Sequence, residues 1–300
     1  MKIACFGSIN LDIVYNVHHI PQGGETISST GRTTFWGGKG LNQSTALAKA
    51  YPEVFLMGFV NKSEESILKH MEENNISTKM MAFSDKPTGH AIIHVDSNAQ
   101  NCITLFAGSN HSFTEKEVDK NLDQLQEGDL LLLQNEINLL EYIIKSAHSR
   151  GIRVVLNPSP FEDSLLDLPL EQLSYLICNE IEGGAIVGDS TISHEEILKK
   201  LSKKFPKTVI VLTLGGDGVL CYDQTTQFSH GTYQVEAVDT TAAGDTFTGF
   251  FMAQLAKNAS IPEALELASK AAAIAVSREG ATTSIPTMEE VISSKLTLKK

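Results

Sequence analysis

Long apolar runs are missing from this sequence of 300 residues. The longest strongly apolar stretch, AAAIAV at 271–276, falls far short of the roughly 20 residues that a membrane-spanning helix needs. The opening MKIACFGSIN meets Ser, Asn and then Asp12 too early to form the apolar region of a secretory signal, so neither export nor membrane insertion is expected. Positive charge is equally dispersed. No basic cluster exceeds a pair such as Lys203-Lys204 or Lys299-Lys300, and 24 Lys and Arg against 36 Asp and Glu give a net charge of -12. That balance argues against a surface for nucleic acid or an anionic membrane.

Cysteine is sparse: Cys5, Cys102, Cys178 and Cys221 lie far apart and form no C-x-x-C pair, so a structural zinc site or a disulfide framework has no support and a reduced cytoplasm fits. There is no G-x-S-x-G and no H-E-x-x-H. His90 and His94 could share a strand face, but they lack a third ligand nearby.

What is present is an ordinary globular composition, 42% apolar and 20% charged, able to bury a large core. Short apolar runs recur: KIACFG, VFLMGFV, DLLLLQ, RVVLN, LSYLICN and TVIVLTLG read as strands buried on both faces. Helical patterns fall between them at 39–50, 64–74, 138–150, 194–204, 243–257 and 262–278. Such alternation predicts an α/β fold, a doubly wound, mostly parallel sheet flanked by helices. Segments 12–36 and 79–107 break the alternation. The second of them, with GHAIIHVDSNAQNCITLFAG, reads as a hairpin around DSNAQN, and both are expected to form a small β lid inserted into a single domain over 1–300.

Several polar positions could carry chemistry. In TTAAGDTFTGFFMAQLA, Asp245 follows Ala242, Ala243 and Gly244 at the start of an apolar helix. The unpaired N–H groups of a helix start favour anions, so a phosphate could lie against the small residues with Asp245 beside it. Equally, Asp245 could simply stabilise the helix start. TLGGDGVLCY is a glycine-rich turn that leads into a strand and not a helix, hence not a dinucleotide fingerprint; it is either a plain turn or a loop whose N–H groups and Thr213 hydroxyl meet phosphate. In GSINLD, ending the first strand, Asn10 and Asp12 would point to one side if the chain stays extended. FWGGKGLNQ places Lys39 among Gly37, Gly38 and Gly40, with Asn42 in the following first turn. These groups could serve a polyol's hydroxyls, or act singly as turn and cap residues.

Taken in order, GSINLD, GGKGLNQ, LNPSP, NEIE, TLGGDGV, VDTTAAGDTFTG and AAAIAVSREGATTSIP resemble the ribokinase-like carbohydrate kinase family from about residue 3 to 286. The resemblance implies an ATP-dependent kinase acting on the primary hydroxyl of a pentose, D-ribose in the first instance. Another sugar or a nucleoside is the alternative, and a sugar-binding regulator without catalysis is a third. It further implies that Asp245 is the catalytic base and that the N–H groups of Ala242, Ala243 and Gly244 form an anion hole. Asn10, Asp12, Gly38, Lys39, Asn42 and Glu136 would contact sugar. Asn179, Thr213, Gly215, Gly216, Gly218 and Ser269 would contact nucleotide, with Glu182 organising Mg2+ through water. A K+ site would use Asp239 with oxygens from Thr241, Ala275, Arg278, Gly280 and Ser284. A homodimer through the lid is also implied. The sequence departs from the family at VNKSEES, which lacks a glycine common there, at Ile181 where Thr is common, and at TTFW, which puts Trp36 near the sugar loop.

Overall fold

The computed structural model describes residues 1–98 and 100–299. In chain order, β1 (Ile3–Phe6), β2 (Asn10–Asn16) and β3 (Gly31–Gly37) precede α1 (Lys39–Ala50). Then come β4 (Val54–Met57), β5 (Phe59–Asn61), α2 (Ser66–Glu73), β6 (Ile76–Ser77), β7 (Ala82–Ser84), β8 (Gly89–Val95) and β9 (Asn101–Phe106). The middle of the chain supplies α3 (Glu115–Leu122), β10 (Leu130–Gln134), α4 (Leu140–Ser149), β11 (Arg153–Asn157), β12 (Tyr175–Asn179), α5 (Glu180–Val187) and α6 (His194–Lys204). It closes with β13 (Val209–Thr213), β14 (Val219–Tyr222), β15 (Gln227–His230), α7 (Ala243–Ala256), α8 (Ile261–Val276) and α9 (Met288–Ser293).

Nine strands form one sheet in the order β15-β14-β13-β12-β11-β10-β1-β4-β6, parallel except for the antiparallel edge β14 and β15. Alternate residues of each strand face opposite sides, so Ile3 and Cys5 join one core, with α1, α7 and α8, while Ala4 and Phe6 join the other, with α3, α4 and α6. That two-sided burial explains the unbroken apolar runs. The α/β doubly wound architecture expected from the sequence is the one observed.

Three local readings are corrected. GSINLD does not end β1: the strand stops at Phe6, and Asn10 and Asp12 lie on β2 in a separate sheet ordered β3-β2-β8-β9. VFLMGFV is two strands, because β4 pairs with β1 while β5 leaves after Gly58 to pair with β7. Segment 79–88 therefore contributes β7 to that two-stranded sheet, and β8 begins only at Gly89. An apolar run says that a strand is buried, not which neighbour it joins. The suggested turn at 96–101 includes Ala99, which lies outside the described residues.

Helix α7 is buried along nearly its whole length between α1 and α8. It reaches α1 closely because residue 249 is glycine: a Cβ there would collide with Ala46 and lie 2.8 Å from the Leu47 nitrogen.

Candidate active site

Four neighbouring parallel strands each end in a polar residue: Gln134 on β10, Asn157 on β11, Asn179 on β12 and Thr213 on β13. Gln134 pairs in register with Asn157, and Asn179 with Thr213. A row of amides and a hydroxyl thus lines the carboxyl edge, where open α/β sheets bind ligands.

At the end of this row the first turns of α1 and α7 meet. Gly38 caps α1 with φ 91°, which favours glycine, and a Cβ on it would lie 3.0 Å from the Asn10 nitrogen. Lys39 then starts the helix, and its N–H donates to Glu136 Oε2 at 3.0 Å. The same carboxylate oxygen accepts from the Ser8 hydroxyl. Burial works against the Lys39 ammonium, but Asp245, Glu136 and Glu182 nearby hold its pKa above the ordinary lysine value. One cation therefore sits among several carboxylates.

Asp12 faces this group from β2. Burial, reinforced by the Glu136 charge, raises its carboxyl from 3.8 to about 7. Asn10 is buried, and its Oδ1 accepts from Asn110 Nδ2 at 2.7 Å, while Asn110 Oδ1 accepts the Ile9 N–H at 2.9 Å. A buried donor that fixes Asn10 was not visible in the sequence, because Asn110 lies 100 residues away in a short turn.

Asp245 is 7% exposed. Its Oδ2 accepts from Asn42 Nδ2 at 3.1 Å and its Oδ1 from Gln43 Nε2 at 2.8 Å. An ionised carboxylate offers about four acceptor positions, so room remains for a third donor such as a substrate hydroxyl. Asn42 Oδ1 is buried with no partner among the described residues, an acceptor placed to take a ligand's proton donor. Ala242 adopts a left-handed conformation at φ 58° and starts α7, leaving the N–H groups of Gly244 and Asp245 without a backbone acceptor among the described residues. The Ala243 N–H makes a long 3.3 Å bond to the Thr240 carbonyl.

On the opposite side of that first turn opens a cavity of about 1000 Å³. Asn179, Thr213, Gly215, Gly216, Gly218 and Ser269 all line it, as do Ala243 and Gly244; Ala242 does not. The Thr213 hydroxyl donates to the Cys178 carbonyl at 3.3 Å and accepts no hydrogen bond among the described residues. Sequence reasoning missed the rest of the wall, notably Tyr233–Ala237, Ala272 and Lys299. The C-terminal segment reaches it because Lys299 N–H donates to the Thr232 carbonyl at 2.8 Å. That is a long-range bridge with no local pattern.

Glu182 and Asn179 form a capping box on α5: Glu182 N–H donates to Asn179 Oδ1 at 2.8 Å, and Asn179 N–H to Glu182 Oε2 at 3.0 Å. Burial raises the Glu182 carboxyl, while the Asn179 N–H, Ser159 and Lys39 oppose the rise.

Behind the α7 turn, Asp239 joins two loops. Its Oδ1 accepts the Thr241 N–H at 2.8 Å and its Oδ2 the Gly280 N–H at 3.0 Å. Burial opposes ionisation, but these bonds win and lower the carboxyl below its ordinary value. Asp239, Thr241 and Gly280 are thereby brought together. The Ala275 carbonyl accepts from Ser277 and Arg278 N–H groups, Ser284 donates to the Ala281 carbonyl at 2.8 Å, and the Arg278 side chain pairs with Glu290 at 2.6 Å. Each Asp239 oxygen accepts one of these bonds, whereas the Ala275 carbonyl already accepts two.

A family profile described as pfkB family carbohydrate kinase matches residues 1–288. The ribokinase of Haemophilus influenzae is 33% identical over 299 residues, covering 97% of each chain. Among solved structures, ribokinase from Thermotoga maritima superposes with a TM-score of 0.88 at 32% identity, covering 98% of each chain. Arabidopsis thaliana ribokinase complexed with ribose and ATP superposes with a TM-score of 0.83 at 26% identity, covering 97% of each chain.

Proposed function

The chain belongs to the pfkB family of carbohydrate kinases, and from that premise we propose that it transfers the γ-phosphoryl group of ATP to the primary hydroxyl of D-ribose. One observation carries the reading: the first turn of α7 is a wall shared by two sites. Ala243 and Gly244 line the large cavity, while the Asp245 carboxylate is bonded to Asn42 and Gln43 of α1, with the Lys39 charge acting on it. A nucleotide in the cavity and a polyol over α1 would meet at Asp245. Relatives named ribokinase, one of them complexed with ribose and ATP, support the choice of substrates.

Asp245 takes the proton of the sugar hydroxyl as that oxygen bonds to the γ-phosphorus. The bond from phosphorus to the β–γ bridging oxygen breaks, and ADP leaves with the electron pair. Phosphoryl transfer asks chiefly for alignment and charge stabilisation, and the N–H groups of 242–244 supply the second. Asn10, Asp12, Gly38, Lys39, Asn42 and Glu136 hold the sugar. Asn179, Thr213, Gly215, Gly216, Gly218 and Ser269 hold the nucleotide.

Magnesium neutralises phosphate charge when bound. Such an ion would be held mainly by phosphate oxygens and water, with Glu182 at one remove. K+ belongs to the Asp239 loops, with Thr241, Ala275, Arg278, Gly280 and Ser284, where it would stiffen the turn that carries the anion-hole N–H groups. Four free cysteines suit a reducing cytoplasm, and no described helix is long and apolar enough to cross a membrane.

The test is ADP release from Mg-ATP with D-ribose, 2-deoxy-D-ribose and adenosine, each in potassium and in a bulky organic-cation buffer. Ribose in potassium should be fastest. Preference for adenosine overturns the substrate, and equal rates in both buffers remove the cation site.

We place a homodimer interface on the lid. Register puts Phe35, Asp12, Ala91 and Leu105 in one row on one face, and Ile103 with Ile93 in the next. Phe35, Ile103 and Leu105 are 47–52% exposed, and β9 is an exposed edge strand, a combination that proteins cover. Light scattering at micromolar concentration should return about twice the 32.6 kDa of one chain; a monomer mass counts against the interface.

A further inference from the structure

Gln43 is fully buried and does not line the large cavity. Its side chain stands at a branch of hydrogen bonds whose direction the backbone dictates. Asn157 Nδ2 donates to the Ile177 carbonyl at 3.0 Å, and a carbonyl can only accept, so Asn157 must turn its Oδ1 toward Gln43. Gln43 must therefore present Nε2 to Asn157 Oδ1, at 2.9 Å, and the same Nε2 reaches Asp245 Oδ1 at 2.8 Å. The remaining Oε1 accepts from Gln134 Nε2 at 2.7 Å. Flipping the Gln43 amide would set oxygen against the Asp245 carboxylate and against Asn157 Oδ1, and nitrogen against the Gln134 nitrogen: three repulsive contacts in a buried site. Asn42 has no such constraint, because its Oδ1 is unpartnered among the described residues.

We propose that Gln43, oriented by Asn157 and Gln134 at the carboxyl edge of the sheet, is a positioning residue that holds Asp245 in one orientation for proton abstraction. A donor that cannot flip meets Asp245 Oδ1 from one direction only. The tether also fixes the rotamer. Asp245 sits on a helix that could slide with its layer, but Gln43 ties the carboxylate to Gln134 and Asn157, whose strands form the rigid sheet. The remaining acceptor positions of Asp245 then point at one place, where the attacking hydroxyl must lie.

This inference rests on the kinase reading above, and the experiment separates the two. Gln43→Met keeps the length and removes the donor. Loss of a hydrogen bond to a charged group predicts a fall in kcat of about 10- to 100-fold, with KM for ribose and for ATP within about twofold, because Gln43 touches neither. Asn157→Leu, which removes one of the three contacts that orient the Gln43 amide, should lower kcat in the same way but less. In an Asp245→Asn background Gln43→Met should cost little more, since the two act as one unit. Thermal melting checks that each variant is folded, and Asn157→Leu carries the test should Gln43→Met fail to fold. An unchanged kcat, a loss confined to KM, or the same fold-loss in the Asp245→Asn background overturns the role. If the wild-type protein does not phosphorylate ribose, the kinase reading fails instead.

Discussion

Replacing Asp245 by Asn should lower kcat by about 10² to 10⁴ and leave the protein folded. The carboxylate receives one donor from Asn42 and one from Gln43, so an amide in its place must turn one NH2 group toward a neighbour that also donates. Gln43 cannot flip, but Asn42 can, because its Oδ1 has no partner among the described residues. The new amide is therefore expected to offer its oxygen to Gln43 and its nitrogen to a flipped Asn42, which restores both hydrogen bonds. Structure survives, and only the proton acceptor is gone. Steady-state kinetics with purified variant and a melting curve decide the matter. Retention of more than about a tenth of the wild-type kcat would exclude Asp245 as the base.

Asp12→Ala should erase most of the preference for D-ribose over 2-deoxy-D-ribose, a preference expected to be about tenfold or greater in kcat/KM. Asp12 when ionised only accepts, Lys39 only donates, and Asn10 and Asn42 can do both, so the set suits vicinal hydroxyls. Removing one hydroxyl strands a desolvated partner, and the loss is larger when that partner is charged. The same carboxyl has a thermodynamic signature in the empty protein. Burial and Glu136 raise it from 3.8 to about 7. The folded state thus binds this proton more tightly than the unfolded chain, and the resulting stability is complete below about pH 4 and lost as pH rises through about 7. Asp12→Asn, which never ionises, should therefore gain on wild type between pH 4.5 and pH 8. Over that window the ceiling is about 3 kcal/mol, and partial exposure of Asp12 lowers it. Melting temperatures at the two pH values test the sign, and equal discrimination by wild type and Asp12→Ala would leave Asp12 a strand residue of β2 with no part in reading the sugar.

The sheet and most of its helices were legible because strands buried on both faces leave continuous apolar runs. Helix α3 escaped because EKEVDKNL buries only a narrow stripe, Val118, Asn121 and Leu122, beneath a charged surface. Helix α5 escaped for a different reason. Its N-x-x-E start was read as a metal element, and in the folded chain those two side chains form a capping box. One pattern can serve a helix end and a ligand together. The ends of β12 and β13 were found through Asn179 and Thr213, but Gln134 and Asn157, at the same level on β10 and β11, were not. Their amides point at another side chain and not at a ligand, and nothing in DLLLLQ or RVVLN announces that. The lid's separate sheet was visible as broken alternation, whereas the parallel register of β2 with β8 and the loss of 79–88 to β7 needed coordinates.

The absent side chain at Gly249 ties protein engineering to turnover. It lies one helical turn from Asp245, and the spacing it permits between α7 and α1 sets how far the base stands from Asn42 and Gln43. Filling that contact is what a search for thermostability would try, since helix glycines are usual targets for replacement by Ala. Here the added methyl would collide with Ala46 and the Leu47 backbone and push α7 from α1 beneath the reacting atoms, so the substitution should cost stability and turnover together. Selection for stability is better directed to α3, α4 and α6 on the far side of the sheet, which insulates the reacting atoms from their repacking.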